Sequence, residues 1–68
     1  EVVELETLVY PNPTTDKILL SSPVDYHLFS LKGELVLEGR GSSIEVSQLS
    51  KGVYFLNTKT QTFKIIKE

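Results

Sequence analysis

At 68 residues, with 40% apolar and 24% charged side chains, the chain has the size and make-up of one small packed domain and is too apolar for a disordered tail. Seven Lys and Arg against nine Asp and Glu give a net charge of −2, which argues against the usual strongly basic nucleic-acid binder. Cysteine is absent, so disulfides and thiolate metal sites are excluded. A core this small rarely yields more than roughly 3–5 kcal/mol unaided, which argues against a self-contained enzyme with a deep cleft.

The charge is unevenly spread. Residues 1–34 carry six acids and two bases, residues 35–68 three acids and five bases. The basic share is too small for a polybasic membrane patch. No apolar run approaches the roughly 18 residues of a bilayer-spanning helix. The chain opens at Glu1 with neither an initiator Met nor a signal-peptide pattern, and reads as a piece of a longer polypeptide.

Apolar residues recur with a period near two, and no stretch keeps an amphipathic helical stripe, so no helix is expected. Val2 to Tyr10 form a first extended segment, closed by Pro11-Asn12-Pro13. Two prolines around an Asn predict a corner between strands, because proline fixes φ and removes a donor. Lys17–Leu20 is a second strand, stopped by Pro23. Val24–Leu31 is a third, with Val24, Tyr26 and Leu28 on an apolar face and Asp25, His27 and Phe29 on the other.

Lys32-Gly33 predicts a hairpin with a primed turn, Gly33 taking the positive φ, and Glu34–Glu38 is the returning strand. Gly39 to Ser42 is expected as a loop, Ser43–Val46 as a strand, and Ser47–Lys51 as a connector. Gly52–Lys59 and Thr62–Lys67 complete the set, joined at Thr60-Gln61. Seven short strands with tight links imply an all-β, antiparallel β-sandwich.

Three stretches then stand in order. They are Leu8 to Lys17, containing Tyr10-Pro11-Asn12-Pro13; Leu28 to Val36, containing Leu31-Lys32-Gly33; and Leu49 to Leu56, containing Gly52-Val53-Tyr54. The basic-apolar ending Phe63-Lys64-Ile65-Ile66-Lys67-Glu68 follows. Together they resemble the type A C-terminal sorting domain of the type IX (Por) secretion system of Bacteroidetes, over residues 8–68. Ser30 stands where that family favours Asp, and Lys32 where Asn is often found.

The resemblance implies an immunoglobulin-like sandwich of about seven short strands. It also implies a secretion signal that directs attached cargo from the periplasm across the outer membrane to the cell surface. Its implied partners are the type IX machinery, a surface sortase that removes the domain and joins the cargo to anionic lipopolysaccharide, and the upstream cargo itself. Residues 1–7 are then the linker from the cargo or a lead-in to the first strand. The family's export signal lies largely in its C-terminal part, which singles out Gly52, Tyr54, Lys64, Ile65, Ile66, Lys67 and Glu68 for recognition by the machinery. Pro11, Asn12, Pro13, Gly33, Gly52 and Tyr54 are expected as structural motif residues.

Gly52 before Tyr54 predicts a tyrosine corner, in which the phenol hydroxyl bonds to a backbone group a few residues upstream. In the last strand, Phe63 and Ile65 share one face, Lys64 and Ile66 the other. At a sheet edge such a strand pairs with a receptor strand, its lysines steering toward an acidic partner, while edge lysines also serve simply to prevent aggregation.

His27 is the only histidine, and no second His or Cys completes a metal site or dyad. Asp16 and Asp25 lack the spacing of a calcium loop, and Ser21, Ser22, Ser42, Ser43 and Ser50 lack a base and an oxyanion motif. No phosphate loop occurs. Neither catalysis nor a cofactor is expected, and edge strands make a weak dimer the expected self-association. The rival reading is an accessory sandwich that binds glycan or protein, or an uncleaved sorting domain that stays as anchor. The first lacks Trp, and its six Tyr and Phe fall mostly at core-like positions.

Overall fold

The computed structural model describes residues 8–68. The expected linker, residues 1–7, and with it the first six of the nine residues of the expected first strand, lie outside the described residues. Within them the chain is all-β: β1 (Val9–Tyr10), β2 (Lys17–Ser30), β3 (Leu35–Glu45), β4 (Gly52–Asn57) and β5 (Thr62–Lys67). No helix occurs among these residues. Every strand pair is antiparallel, and the strands form one curled sheet. β2 is its spine, with β3 along one side and β1 then β4 along the other; β5 lies outside β4.

Five strands replace the seven expected because two predicted breaks are bends. Ser21, Ser22 and Pro23 stay within β2, where the register with β3 slips between Leu19 and Val24. Leu19 faces Ser43 and Val24 faces Gly41, so β2 carries the surplus residues in a bulge, the place where a strand tolerates proline. Gly39 to Ser42 likewise stays within β3. There the Tyr26 ring covers the glycine opposite it: a Cβ added to Gly39 would lie 2.8 Å from the Tyr26 hydroxyl. The two layers expected of a sandwich are thus halves of one sheet that bends through β2 and β3.

The bend puts a single core inside the curl. Ile18, Leu20 and Ile44 from one half of the β2–β3 ribbon, with Val46 just beyond β3, meet Leu28, Tyr54, Leu56 and Ile65 from the other side. The apolar face of Val24, Tyr26 and Leu28 points inward as the alternation predicts. On the outer face, Asp25 pairs with Arg40 (3.2 Å) and His27 Nε2 lies 3.4 Å from Glu38 Oε1, each with the residue directly across on β3. These groups are exposed, so the pairs contribute little to stability.

The β2–β3 hairpin differs from the primed turn in one respect. Ser30 N–H donates to the Glu34 carbonyl and Gly33 N–H to the Ser30 carbonyl, so three residues, Leu31 to Gly33, form the link. Within the link only Gly33 has positive φ (90°), and no non-glycine residue among those described does. Lys32 carries a Cβ and avoids the left-handed region, which leaves the three-residue turn with glycine last. Ser30 Oγ accepts from Glu34 N–H at 3.2 Å, so serine supplies a turn bond at the position where the resembled family favours Asp.

Leu28 is fully buried on the spine strand, between β3 and β4. Leu28→Ala is expected to cost about 2–5 kcal/mol, which rivals the whole stability of so small a domain. Chemical denaturation followed by circular dichroism should show most of the variant unfolded at 37 °C.

Candidate functional site

The site is the last strand and what holds it. β5 pairs with β4 from Thr62 opposite Asn57 to Lys67 opposite Gly52. As the alternation predicts, Ile65 is buried and Phe63 half-buried on the core face, while Lys64 and Ile66 are exposed on the other. Lys67 follows Ile65 inward and is only 8% exposed, its Nζ donating to the Glu68 main-chain oxygen at 3.0 Å. Of the two lysines expected to face a partner, Lys64 alone presents its ammonium freely to solvent. Ile66 stands 39% exposed, directly across from Val53.

Successive strand residues aim their N–H and C=O at opposite edges. Ile65 and Lys67 therefore face β4, and Lys64, Ile66 and Glu68 face outward. That outer edge is covered. The Asn12 carboxamide donates through Nδ2 to the Lys64 carbonyl (2.8 Å) and accepts through Oδ1 from the Ile66 N–H (3.0 Å). Only one orientation of the amide satisfies both bonds, which fixes its assignment.

Two residues on, Thr14 N–H donates to the Ile66 carbonyl (2.9 Å) and the Glu68 N–H donates to the Thr14 carbonyl (2.8 Å), a parallel bridge beside Lys67. Pro11, Asn12 and Pro13 are exposed, whereas Thr14 is buried with its Oγ1 donating to the Lys17 carbonyl at 2.6 Å. Both X–Pro bonds here, Tyr10–Pro11 and Asn12–Pro13, are cis.

Pro11-Asn12-Pro13 is thus more than the corner between the first two strands. It carries the chain from β1, beside β2, to the far side of β5, and the carboxamide stands in for a strand's peptide group there. Nothing local in the sequence signals this, because the partners lie 52 and 54 residues away. Thr14 is a second residue the sequence reading missed.

The tyrosine corner forms. Tyr54 Oη donates to the Ser50 carbonyl at 2.7 Å, four residues upstream, and the ring is 92% buried beside Leu56 and Ile65. The sequence predicts a backbone acceptor a few residues upstream, and the structure identifies it as Ser50. Gly52 starts β4 at φ 151°, a backbone region that favours glycine, and lies opposite Lys67. Gly52, Tyr54 and the β5 residues are therefore neighbours, and Gly33 sits in the β2–β3 turn whose Lys32 and Glu34 line a shallow groove together with Gly52 and Tyr54.

Elsewhere, an open groove of about 540 Å³ lies between Asp25, His27, Phe29 and the Asn57–Lys59 segment, with the His27 and Phe29 rings stacked at 6.4 Å. No group of three or more His, Cys, Asp or Glu is placed to hold a metal among the described residues. No helix long and apolar enough to cross a membrane occurs among them either.

The model of the secretion system C-terminal sorting domain matches residues 8–68. The chain belongs to that family. Its members are type IX sorting signals, which implies transit to the outer membrane and cell surface, contact with the type IX machinery, and attachment to an upstream cargo. No curated relative and no solved structure matches the chain.

Two substitutions separate the site's supports. Asn12→Asp keeps the acceptor for Ile66 but replaces the donor to Lys64 with a charge, and should cost about 1–2 kcal/mol. Gly52→Ala should cost about 1–3 kcal/mol through backbone strain alone. Melting curves of the purified domain check both.

Proposed function

We propose that this domain is a non-enzymatic export tag, read by the type IX machinery through β5 and the tyrosine corner behind it, while its cargo passes from periplasm to cell surface. What carries the reading is the family match over residues 8–68. The geometry supplies the means. β5 offers one exposed cation, Lys64, and one exposed branched side chain, Ile66, on a strand whose other face is locked into the core.

Gly52 and Tyr54 act at one remove. They fix the start of β4, and β4 fixes the register of β5. Their recognition role is to present Lys64, Ile65, Ile66, Lys67 and Glu68 at a constant height and twist. Lys64 steers an acidic partner toward the strand, a contribution to encounter rate and specificity more than to affinity. Ile65 and Lys67 hold the strand down from inside.

In this reading a surface sortase then removes the domain and joins the cargo to anionic lipopolysaccharide, and the domain contributes no catalytic group of its own. The immunoglobulin-like relationship implied by the family would rest on the bent sheet, which encloses the core that two sheets would share. A weak edge-strand dimer would use β3, whose outer side no strand covers among the described residues. The rival glycan-binding reading has the Phe29–His27 groove to draw on, but the adjacent Asp25 and the His27 ring are engaged with Arg40 and Glu38.

The deciding experiment fuses residues 1–68 to a periplasmic reporter in a type IX-competent bacterium. Export of the fusion, and its loss on deleting Ile65–Glu68, is the expected result. Retention of the intact fusion in the periplasm would sink the reading, and a positive glycan array without export would favour the rival.

A further inference from the structure

The outer edge of β5 is the one place where the strand's hydrogen-bonding groups are held by something other than a strand. Resting on the reading of β5 as the recognised element, we propose that Asn12 is a displaceable guard on that edge, and that the export partner contributes an extended strand that takes the Lys64 carbonyl and the Ile66 N–H in its place.

Three observations support this. First, the guard is slight where it meets those two groups. Its contact is a single side chain on a segment whose Pro11, Asn12 and Pro13 are all exposed. Second, the guard has a firm base. Thr14 is buried, bonded through Oγ1 to Lys17 and through its backbone to Ile66 and Glu68. Asn12 can swing away while Thr14 stays, so the opened edge runs from Thr62 to the Ile66 N–H and stops there.

Third, the side chains beside that edge define the incoming strand. Lys64 is exposed and forms no ion pair among the described residues, and Ile66 with Val53 across from it makes an apolar step. A strand alternating acidic and apolar residues matches both, with main-chain bonds supplying affinity and these two side chains specificity. The partner is therefore an extended acidic-apolar segment added to the sheet.

Amide hydrogen exchange tests the guard on the chain itself. Ile66 N–H is held by Asn12 and the Ile65 N–H faces β4, so a guard that opens locally makes Ile66 exchange at least about tenfold faster than Ile65. Asn12→Ala should raise the Ile66 rate about tenfold further and leave Ile65 unchanged. Equal rates at the two amides would mean that the edge opens only with the whole fold, and would overturn the proposal.

Export tests the incoming strand. Ile66→Pro removes the outward N–H without touching the ladder to β4, as edge positions allow, whereas Ile66→Thr keeps it. Export of the reporter fusion should fall at least about tenfold further for Ile66→Pro than for Ile66→Thr, and stay within about twofold for Asn12→Ala. Undiminished export of Ile66→Pro overturns the proposal, and so does lost export of an Asn12→Ala protein that still melts cooperatively. Should Ile66→Pro fail to fold, the Asn12→Ala arm and the exchange rates decide. Failure of the unmodified fusion to leave the periplasm strikes the reading of β5 instead, and leaves the exchange result standing.

Discussion

The fold depends on a closure made by one short segment. The sheet runs from β3 through β2 and β4 to β5, and an open sheet of that kind ends in unpaired backbone. Asn12 and Thr14 reach across to the last strand and occupy four of its outward groups. The closure joins residues more than fifty positions apart, so it is long-range order of the kind that small domains lose first. The other strand pairs span shorter distances: they join sequential strands except for β2 with β4, and the corner is four residues deep.

The core explains why closure matters. Eight buried apolar side chains fill the curl, with Val9, Val24, Tyr26, Val36, Leu37, Leu49 and Phe63 packed around them. A flat sheet of these strands would leave that face wet. The curl is set by the bulge at Ser21 to Pro23 and by the glycine-rich turn of β3, both of which bend a strand without ending it. Tyr26 over Gly39 shows how the bend is sealed, an aromatic ring filling the space that the glycine leaves.

Much of this was legible in the residues, and the misses have a common cause. The inward and outward faces of Val24 to Phe29 and of Phe63 to Ile66 follow from a period of two, and the structure keeps both. The tyrosine corner follows from Gly52, Tyr54 and the backbone four residues back. Proline and paired glycines, however, signal a departure from ideal pairing without saying whether the strand stops or bends, so seven strands are expected where the described residues form five. Lys67 was expected outside because it is charged, yet alternation from Ile65 places it inside. The guard by Asn12 was out of reach, because a side chain that imitates backbone leaves no periodic trace.

The prolines on either side of Asn12 have an effect beyond shaping the corner. Neither has an amide hydrogen, so while Asn12 keeps its two bonds a foreign chain approaching from solvent finds no run of donors with which to extend the array. Ile65 and Ile66, the stickiest part of the last strand, thus sit behind a stopper that cannot itself act as a template. Stacking of one tag upon the next, the first step toward fibres, is starved of its seed on that flank as long as the guard stays closed.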